Sequence, residues 1–481
     1  MKKRKYRIAR VTIIGIICIC LIRYLVFHYD GNVYTIESAE DYVKKVCEIG
    51  NVPGMSVVVL DSGQEYYINI GYADKDEKIG MTSEVRCELG STTKAFTAIA
   101  VLLLEQDGKL DRGDSVKDYL AWFQPTYKGK YVDITIEQLL CHTSGIPTWT
   151  IANLPVGTVN DVELLENTVK GIQTVELDNE PGTVHNYATI NYDVLALIIE
   201  EVSGMAYEEY VKENVLEPLG MTNSYFRTDD TKSEQLAQGY KYAFMGVRKY
   251  DAPTFYSNTA AGYLVSNTAD LSLWMKAQMG ILEMESAERT DKLERTITES
   301  HSYPIEQEQH YFAGWNLYDD YFCHSGNNPN YSSQVYIGRE NGKAVFGLSN
   351  ICGSASTKAA DGIYRMMQGE SIKLGFWMEG NSLVDLLCVI SCLVELYVII
   401  LLFEQRERRR YTRVKVFIAA IIAIIMALVP YFLHYNYLTL MVWFSPCLLI
   451  AIVGVEICFA EYILLSISHI RCQNGAKKSC K

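Results

Sequence analysis

The sequence predicts an α+β domain, an antiparallel sheet flanked by helices and interrupted by a helical subdomain, with one N-terminal and three C-terminal transmembrane helices. Three observations predict it. Strand-like segments closed by turn signals stand at both ends of the central region. Segments with helical apolar spacing stand between them. Four apolar stretches bracket the whole, each near the ~20 residues needed to cross a bilayer.

In chain order, residues 1–10 form a basic N-terminus carrying Lys2, Lys3, Arg4, Lys5, Arg7 and Arg10. The apolar stretch 11–27 follows. Its end, with Arg23, Tyr24 and Phe27 before His28, offers no small-x-small cleavage site, so an uncleaved anchor is favoured over a signal peptide. The central domain spans 35–375. It begins with MSVVVLD and EYYINIGYAD, a hairpin closed at Ser62-Gly63. A long apolar helix follows Ser91, from Ala95 to Leu104. After a polar, turn-rich region, Ile190 to Ser203 is apolar at helical spacing and ends at Gly204. Late in the domain, SSQVYIG and KAVFGLSN are strands joined by Arg339-Glu340-Asn341-Gly342, where Asn-Gly is the turn signal.

The C-terminal hundred residues hold spans at 382–403, 416–433 and 438–462. The loop 404–415 (EQRERRRYTRVK) carries six basic residues against two acids, and the tail 463–481 has Arg471, Lys477, Lys478 and Lys481. Every basic cluster falls in the cytoplasm if the chain crosses four times with both ends inside, which puts 28–381 outside. The overall charge of −13 is concentrated in that exterior. Such a surface repels nucleic acid and anionic polymers and attracts cationic ligands. The five exterior cysteines, Cys47, Cys87, Cys141, Cys323 and Cys352, are odd in number and unpaired in spacing. They suggest neither a disulfide framework nor a zinc site. No metal or cofactor is called for.

The chemistry points to three places. Ser91-Thr92-Thr93-Lys94 opens the apolar helix. Residues three apart share a helix face, so Lys94 returns beneath the Ser91 hydroxyl, where a buried lysine of depressed pKa can act as its base. The helix N-terminus favours negative charge developing there. Tyr187, in PGTVHNYATINY, can hold or relay the serine proton. Cys323-His324-Ser325-Gly326 precedes a strand and can line a substrate slot. The backbone N–H of Asn327 would join that of Ser91 as an oxyanion hole.

In this order the three stretches resemble the serine β-lactamase and penicillin-binding-protein-like hydrolases, and most nearly the branch of class C β-lactamases, D-aminopeptidases and related esterases. The resemblance runs from about Gly50 to Ser354. It includes VPGMSVVVLDSG, EQLLCHTSGIP, EPLGMTNSYF, AAGYLVSNTADLSLW and FAGWNLY. It implies that Ser91 is the acylated nucleophile, Lys94 its base or proton-sharing partner, and Tyr187 the tyrosine of Y-x-N. His324-Ser325-Gly326 stands where the family has K-T-G, in the H-x-G form common among its non-lactamase members. His142 matches a histidine read as structural. Two positions depart from the pattern. Thr189 stands where the family's Asn helps hold a substrate amide. His324 replaces a lysine and is mostly neutral near pH 7, so it attracts a substrate carboxylate less well. Both argue against strong β-lactamase action. An external family domain followed by three spans also resembles the membrane-bound peptidases that mature exported nonribosomal peptide prodrugs, such as the colibactin-maturing peptidase.

The expectation is a membrane-anchored extracytoplasmic serine hydrolase. A peptidase on a peptide or N-acyl-amino-acid substrate, of prodrug or cell-wall type, comes first. A carboxylesterase of the same fold is second, and a weakly catalytic penicillin-binding sensor third. Glu395 and Glu456 lie in spans, where a carboxylate is costly unless it faces a partner or cavity. A homodimer or a transporter meeting the bundle is therefore weighed beside plain anchoring.

Overall fold

The computed structural model describes residues 34–155, 163–227, 236–284, 288–301, 310–374, 379–404, 413–432 and 435–479, with short pieces at 12, 14–15 and 29–31. The N-terminal apolar stretch and the basic loop after residue 404 lie largely outside the described residues. The chain divides into two compact units.

The larger unit comprises Tyr29–Lys241 and Lys249–Lys373. Helix α1 (Ile36–Gly50) starts on a Thr35 capping box, in which Thr35 and Ser38 each accept from the other's backbone N–H. Strand β1 (Gly54–Asp61) pairs with β2 (Gln64–Asp74) in the register Asp61↔Gln64. The turn between them uses Ser62 and Gly63 with φ of 52° and 85°, the left-handed pair a two-residue hairpin requires. Strand β3 (Ile79–Gly80) continues from β2. Residues of β1 from Gly54 to Leu60 are all buried, so this strand is covered on both faces, which is why it reads as an unbroken apolar run.

Helix α2 (Lys94–Gln106) follows a tight 3₁₀ turn, Gly90–Thr93. It is buried on every side from Lys94 to Leu104 and packs on α3 (Ile190–Ser203), itself buried from Ile190 to Ile199 and closed by Gly204 at φ 71°. A helix that is apolar all round belongs inside, and these two make the centre of the helical part. Further elements that frame the site are α4 (Thr268–Gln278), α5 (Glu288–Ser300), β4 (Tyr311–Phe312), β5 (Trp315–Leu317), β6 (Tyr321–Asn328), β7 (Tyr331–Gly338), β8 (Lys343–Ser349) and α6 (Ala355–Met367). One antiparallel sheet runs β4-β5-β6-β7-β8-β1-β2-β3. The last strands of the domain therefore zip onto the first, with Val345 opposite Val59. Helices α1 and α6 pack together closely, since a Cβ on Gly362 would lie 2.3 Å from the Tyr42 ring. Ser56 of β1 bonds Thr268 of α4 at 2.8 Å. The two expected hairpins, the Ser91 helix and the helix at 190–203 are thus all present, in one antiparallel sheet with helices against it.

The smaller unit comprises Met1–His28, Tyr242–Arg248 and Leu374–Lys481. Its helices are α7 (Gly380–Glu404), α8 (Arg413–Phe432), α9 (Tyr437–Trp443) and α10 (Pro446–Ser479). Among the described residues, two stretches are long and apolar enough to cross a membrane, Gly380–Leu402 and Pro446–Ile467. The apolar run 438–462 is divided between α9 and α10. The break falls at Phe444-Ser445, before a proline that opens a new helix while Ser445 accepts from the Cys447 N–H. Asp385, buried, accepts from the N–H groups of Phe244 and Met245 and from the Ser445 hydroxyl. Glu395 accepts from Ser391 at 2.7 Å and lies against Gly454, where any Cβ would collide with it.

Candidate active site

The 3₁₀ turn and the start of α2 place Ser91 and Lys94. In a 3₁₀ turn, residues three apart eclipse, and Lys94 Nζ lies 3.1 Å from Ser91 Oγ. Lys94 is fully buried and also donates to the Ala261 carbonyl at 2.7 Å. Burial lowers its pKa to about 7, against the opposing pull of the Asp193 carboxylate. In its neutral form an amine held between these two groups can donate to the Ala261 carbonyl and still accept from the Ser91 hydroxyl. Asp193, one turn into α3, is itself buried and accepts from Asn258 Nδ2 at 3.0 and 2.8 Å. Burial raises its pKa well above the usual carboxylate range, and Asn258 and Lys94 offset part of that.

The turn is tied to the sheet. Ser333 of β7 donates to the Leu89 carbonyl, and Thr92 bonds both Leu89 and Ser333. Two glycines allow the closest approach. Gly90 sits at φ 57°, and a Cβ there would lie 2.5 Å from the Asn327 amide nitrogen. A Cβ on Gly326 would lie 1.9 Å from the Leu89 oxygen and 3.0 Å from the Ser91 nitrogen. The backbone N–H groups of Ser91 and Asn327 are therefore brought to one spot where the turn crosses β6. A third contact steadies Lys94: Gly314, in the β4–β5 turn, packs against the backbone of Lys94 and Ala95.

Tyr187 stands above Lys94, with Nζ 5.2 Å from its ring centroid. Its Oη has no hydrogen-bond partner among the described residues. Burial raises its pKa, and the Ser91 hydroxyl offsets part of the rise. Near pH 7 the lysine, not the phenol, is thus the group able to take the serine proton. Thr189 is partly exposed at the N-terminus of α3. On β6, His324 and Gly326 are buried, while Ser325 is exposed and leaves the strand on the other face.

His142 is fully buried beside the site. Its backbone is left-handed at φ 55°, a conformation that histidine adopts more readily than most non-glycine residues. Its ring lies 4.1 Å from that of Tyr187. Nδ1 accepts from Asn191 Nδ2 at 3.0 Å, while Nε2 is buried without a partner. Burial and the Lys94 charge hold its pKa well below 6.5. The sequence reading also gave no role to Asp193, Asn258 and Tyr311. Tyr311 immediately precedes the FAGWNLY stretch, and a buried aromatic on a strand gives no local signal of polar work.

The Beta-lactamase family profile matches residues 39–367. Protein flp of Staphylococcus aureus (strain MRSA252) is 31% identical over 311 residues, covering 63% of this chain and 60% of that protein. The chain thus spans about 60% of the length of the curated relatives it matches first. Among solved structures, the octameric penicillin-binding protein homologue from Pyrococcus abyssi aligns with a TM-score of 0.59 and 26% identity, over 70% of this chain and 78% of that one. A class C beta-lactamase aligns with a TM-score of 0.59 at 19% identity, over 69% and 95%, a likeness of fold. With a serine–lysine pair at the head of a buried helix, a neighbouring strand bringing a second amide to it, and a family profile over most of the chain, this protein belongs to the serine beta-lactamase-related family.

Proposed function

We propose that this chain is a membrane-anchored serine hydrolase that forms an acyl-enzyme on Ser91 and works outside the cytoplasm. The observation that carries the reading is the fully buried Lys94, with Nζ 3.1 Å from Ser91 Oγ and a pKa of about 7. Ser91 Oγ attacks the acyl carbon as its proton passes to Lys94. The developing oxyanion is met by the backbone N–H groups of Ser91 and Asn327, donors aimed before the reaction begins. Lys94, with Tyr187 beside it, returns a proton to the leaving group. Water then repeats the sequence on the acyl-enzyme.

The first reading is a peptidase acting on a peptide or N-acyl-amino acid. The second is an esterase, favoured by Thr189, whose single hydroxyl grips an amide less well than a carboxamide would. Multi-pass anchoring with an external catalytic unit is supported by two helices long and apolar enough to cross a membrane and by the placement of the basic clusters. A fluorophosphonate probe tests the reading: it labels the wild type and leaves Ser91→Ala unlabelled. Equal labelling of both removes Ser91 as nucleophile.

A further inference from the structure

We propose that Tyr311 is a positioning residue that locks His324 in one neutral tautomer, so that the strand corner beside Ser91 presents no charge and favours acyl donors without a carboxylate there. The inference rests on the acyl-enzyme reading above and names the substrate class it implies.

The hydrogen bonds fix the protons. His324 Nδ1 lies 2.7 Å from the Ser325 carbonyl oxygen. A carbonyl only accepts, so Nδ1 carries the hydrogen. In a neutral ring Nε2 is then an acceptor, and Tyr311 Oη lies 3.1 Å from it. The neighbouring Tyr192 commits its own hydroxyl to the Leu140 carbonyl at 3.2 Å. Tyr311 also lies within reach of the Tyr192 oxygen, but an acceptor Nε2 at 3.1 Å needs a donor, so the Tyr311 proton points to His324. Both imidazole nitrogens are spent inside the fold, and His324 is only 4% exposed.

The surroundings oppose a charge on this ring. Burial, followed by the charge of Lys94 on α2, lowers the His324 pKa to about 3, while the hydrogen bond to Ser325 offsets part of the shift. The other titratable groups packed here are Tyr187, at 6.2 Å from the His324 ring, Tyr192 and Cys141 beside Tyr311, and His142 and His185, at 4.9 and 5.6 Å from the Tyr311 ring. Among these partners there is no carboxylate to favour an imidazolium. A lysine at this position would present a cation, whereas His324 offers neither charge nor a free donor.

The test uses the full chain in detergent and a pair of acyl thioesters that differ in the leaving group, one ending in a free carboxylate and the other in its methyl ester. In the wild type the carboxylate-to-methyl-ester ratio of kcat/KM stays flat from about pH 8 to pH 5, because His324 does not titrate there. In Tyr311→Phe the ring loses its donor and can turn and take a proton. The ratio then rises as pH falls through the histidine range, by about tenfold, the discrimination of one charge-assisted hydrogen bond. The double variant Tyr311→Phe/His324→Gln returns to a flat profile. A wild-type ratio that already climbs on acidification, or a flat ratio in folded Tyr311→Phe, overturns the inference. Nitrogen-15 NMR of histidine-labelled wild type, with His324→Gln for assignment, decides it without catalysis: an Nδ1–H signature unchanged to pH 5 supports it, and an Nε2–H tautomer or a titrating signal rejects it. If neither thioester is cleaved and Ser91 takes no probe, the acyl-enzyme reading itself has failed.

Discussion

Lys94 decides what Ser91 can do. A lysine in water would be an ammonium at neutral pH and could accept nothing, whereas burial brings this one to about 7. Only the neutral amine accepts the serine proton, so acylation rises with pH through about 7 and levels above it. Stopped-flow acylation across pH 5 to 9 measures the limb. Asp193 opposes the shift, because a negative charge favours the ammonium. Asp193→Asn therefore moves the limb to lower pH, while Lys94→Ala abolishes it and slows acylation by roughly a hundredfold or more. A limb that stays in place in both variants would assign it to another group. Thr189 makes a different prediction. Thr189→Asn, restoring a carboxamide, raises amide turnover relative to ester turnover by about tenfold, the effect of a hydrogen bond worth roughly 1–2 kcal/mol in the transition state. Labelling at Ser91 is unchanged, since position 189 bears on substrate and not on the nucleophile. A flat ester-to-amide ratio in the folded variant removes Thr189 from the recognition site.

Among the elements, two glycines with similar steric surroundings serve different ends. Gly326 lets β6 press against the turn that carries Ser91, and a methyl there would meet the Leu89 oxygen, Ser333 Oγ and the Ser91 nitrogen. Gly362 lets α6 press against Tyr42 of α1, on helices that carry none of the reactive groups. Gly326→Ala should part the two oxyanion donors and lower kcat by roughly 10²–10³, the effect of losing one such donor. Gly362→Ala should cost about 1–3 kcal/mol of stability through overpacking and leave kcat in the folded fraction near that of the wild type. Thermal melts and kcat measured on the same preparations check the pair. A Gly326→Ala enzyme with full kcat would mean that the strand does not supply the second donor. The elements themselves were readable wherever local chemistry decides them. Gly63 and Gly342 take φ of 85° and 67° in their turns, which glycine adopts without strain, and Gly204 ends α3 at 71° for the same reason. The break at Phe444-Ser445 was not readable, because Ser445 and Pro446 interrupt an apolar run that passes any hydropathy test.

Across the whole molecule, what could be read and what could not divide by separation along the chain. Ser91 and Lys94 are three residues apart, and helical geometry alone joins them. Asp193, Asn258 and Tyr311 reach the same place only through the packing of α3, the 256–262 segment and the first strand of the late sheet, and their local sequences look like ordinary helix, loop and strand. The site's reactive pair was therefore legible, while the groups that tune it were not. The membrane arrangement follows the other logic, that of summed composition. Lys and Arg cluster at residues 2–10, in 404–415 and in the tail beyond 470, and the short connection near Tyr435 has no charge. An even number of crossings with both ends inside is the arrangement that leaves every cluster in the cytoplasm. The proposed four crossings would use the N-terminal stretch and three C-terminal ones; among the described residues, two stretches, Gly380–Leu402 in α7 and Pro446–Ile467 in α10, are long and apolar enough to cross. A reporter fused after Lys481 should then read cytoplasmic, and a tag inserted near Lys130 should be reached by an impermeant reagent in intact cells. An external C-terminus would require an odd count and leave the tail lysines on the wrong side. A tag at Lys130 that is protected in intact cells would place the hydrolase unit inside, where its acidic surface and Ser91 would meet cytoplasmic rather than exported substrates.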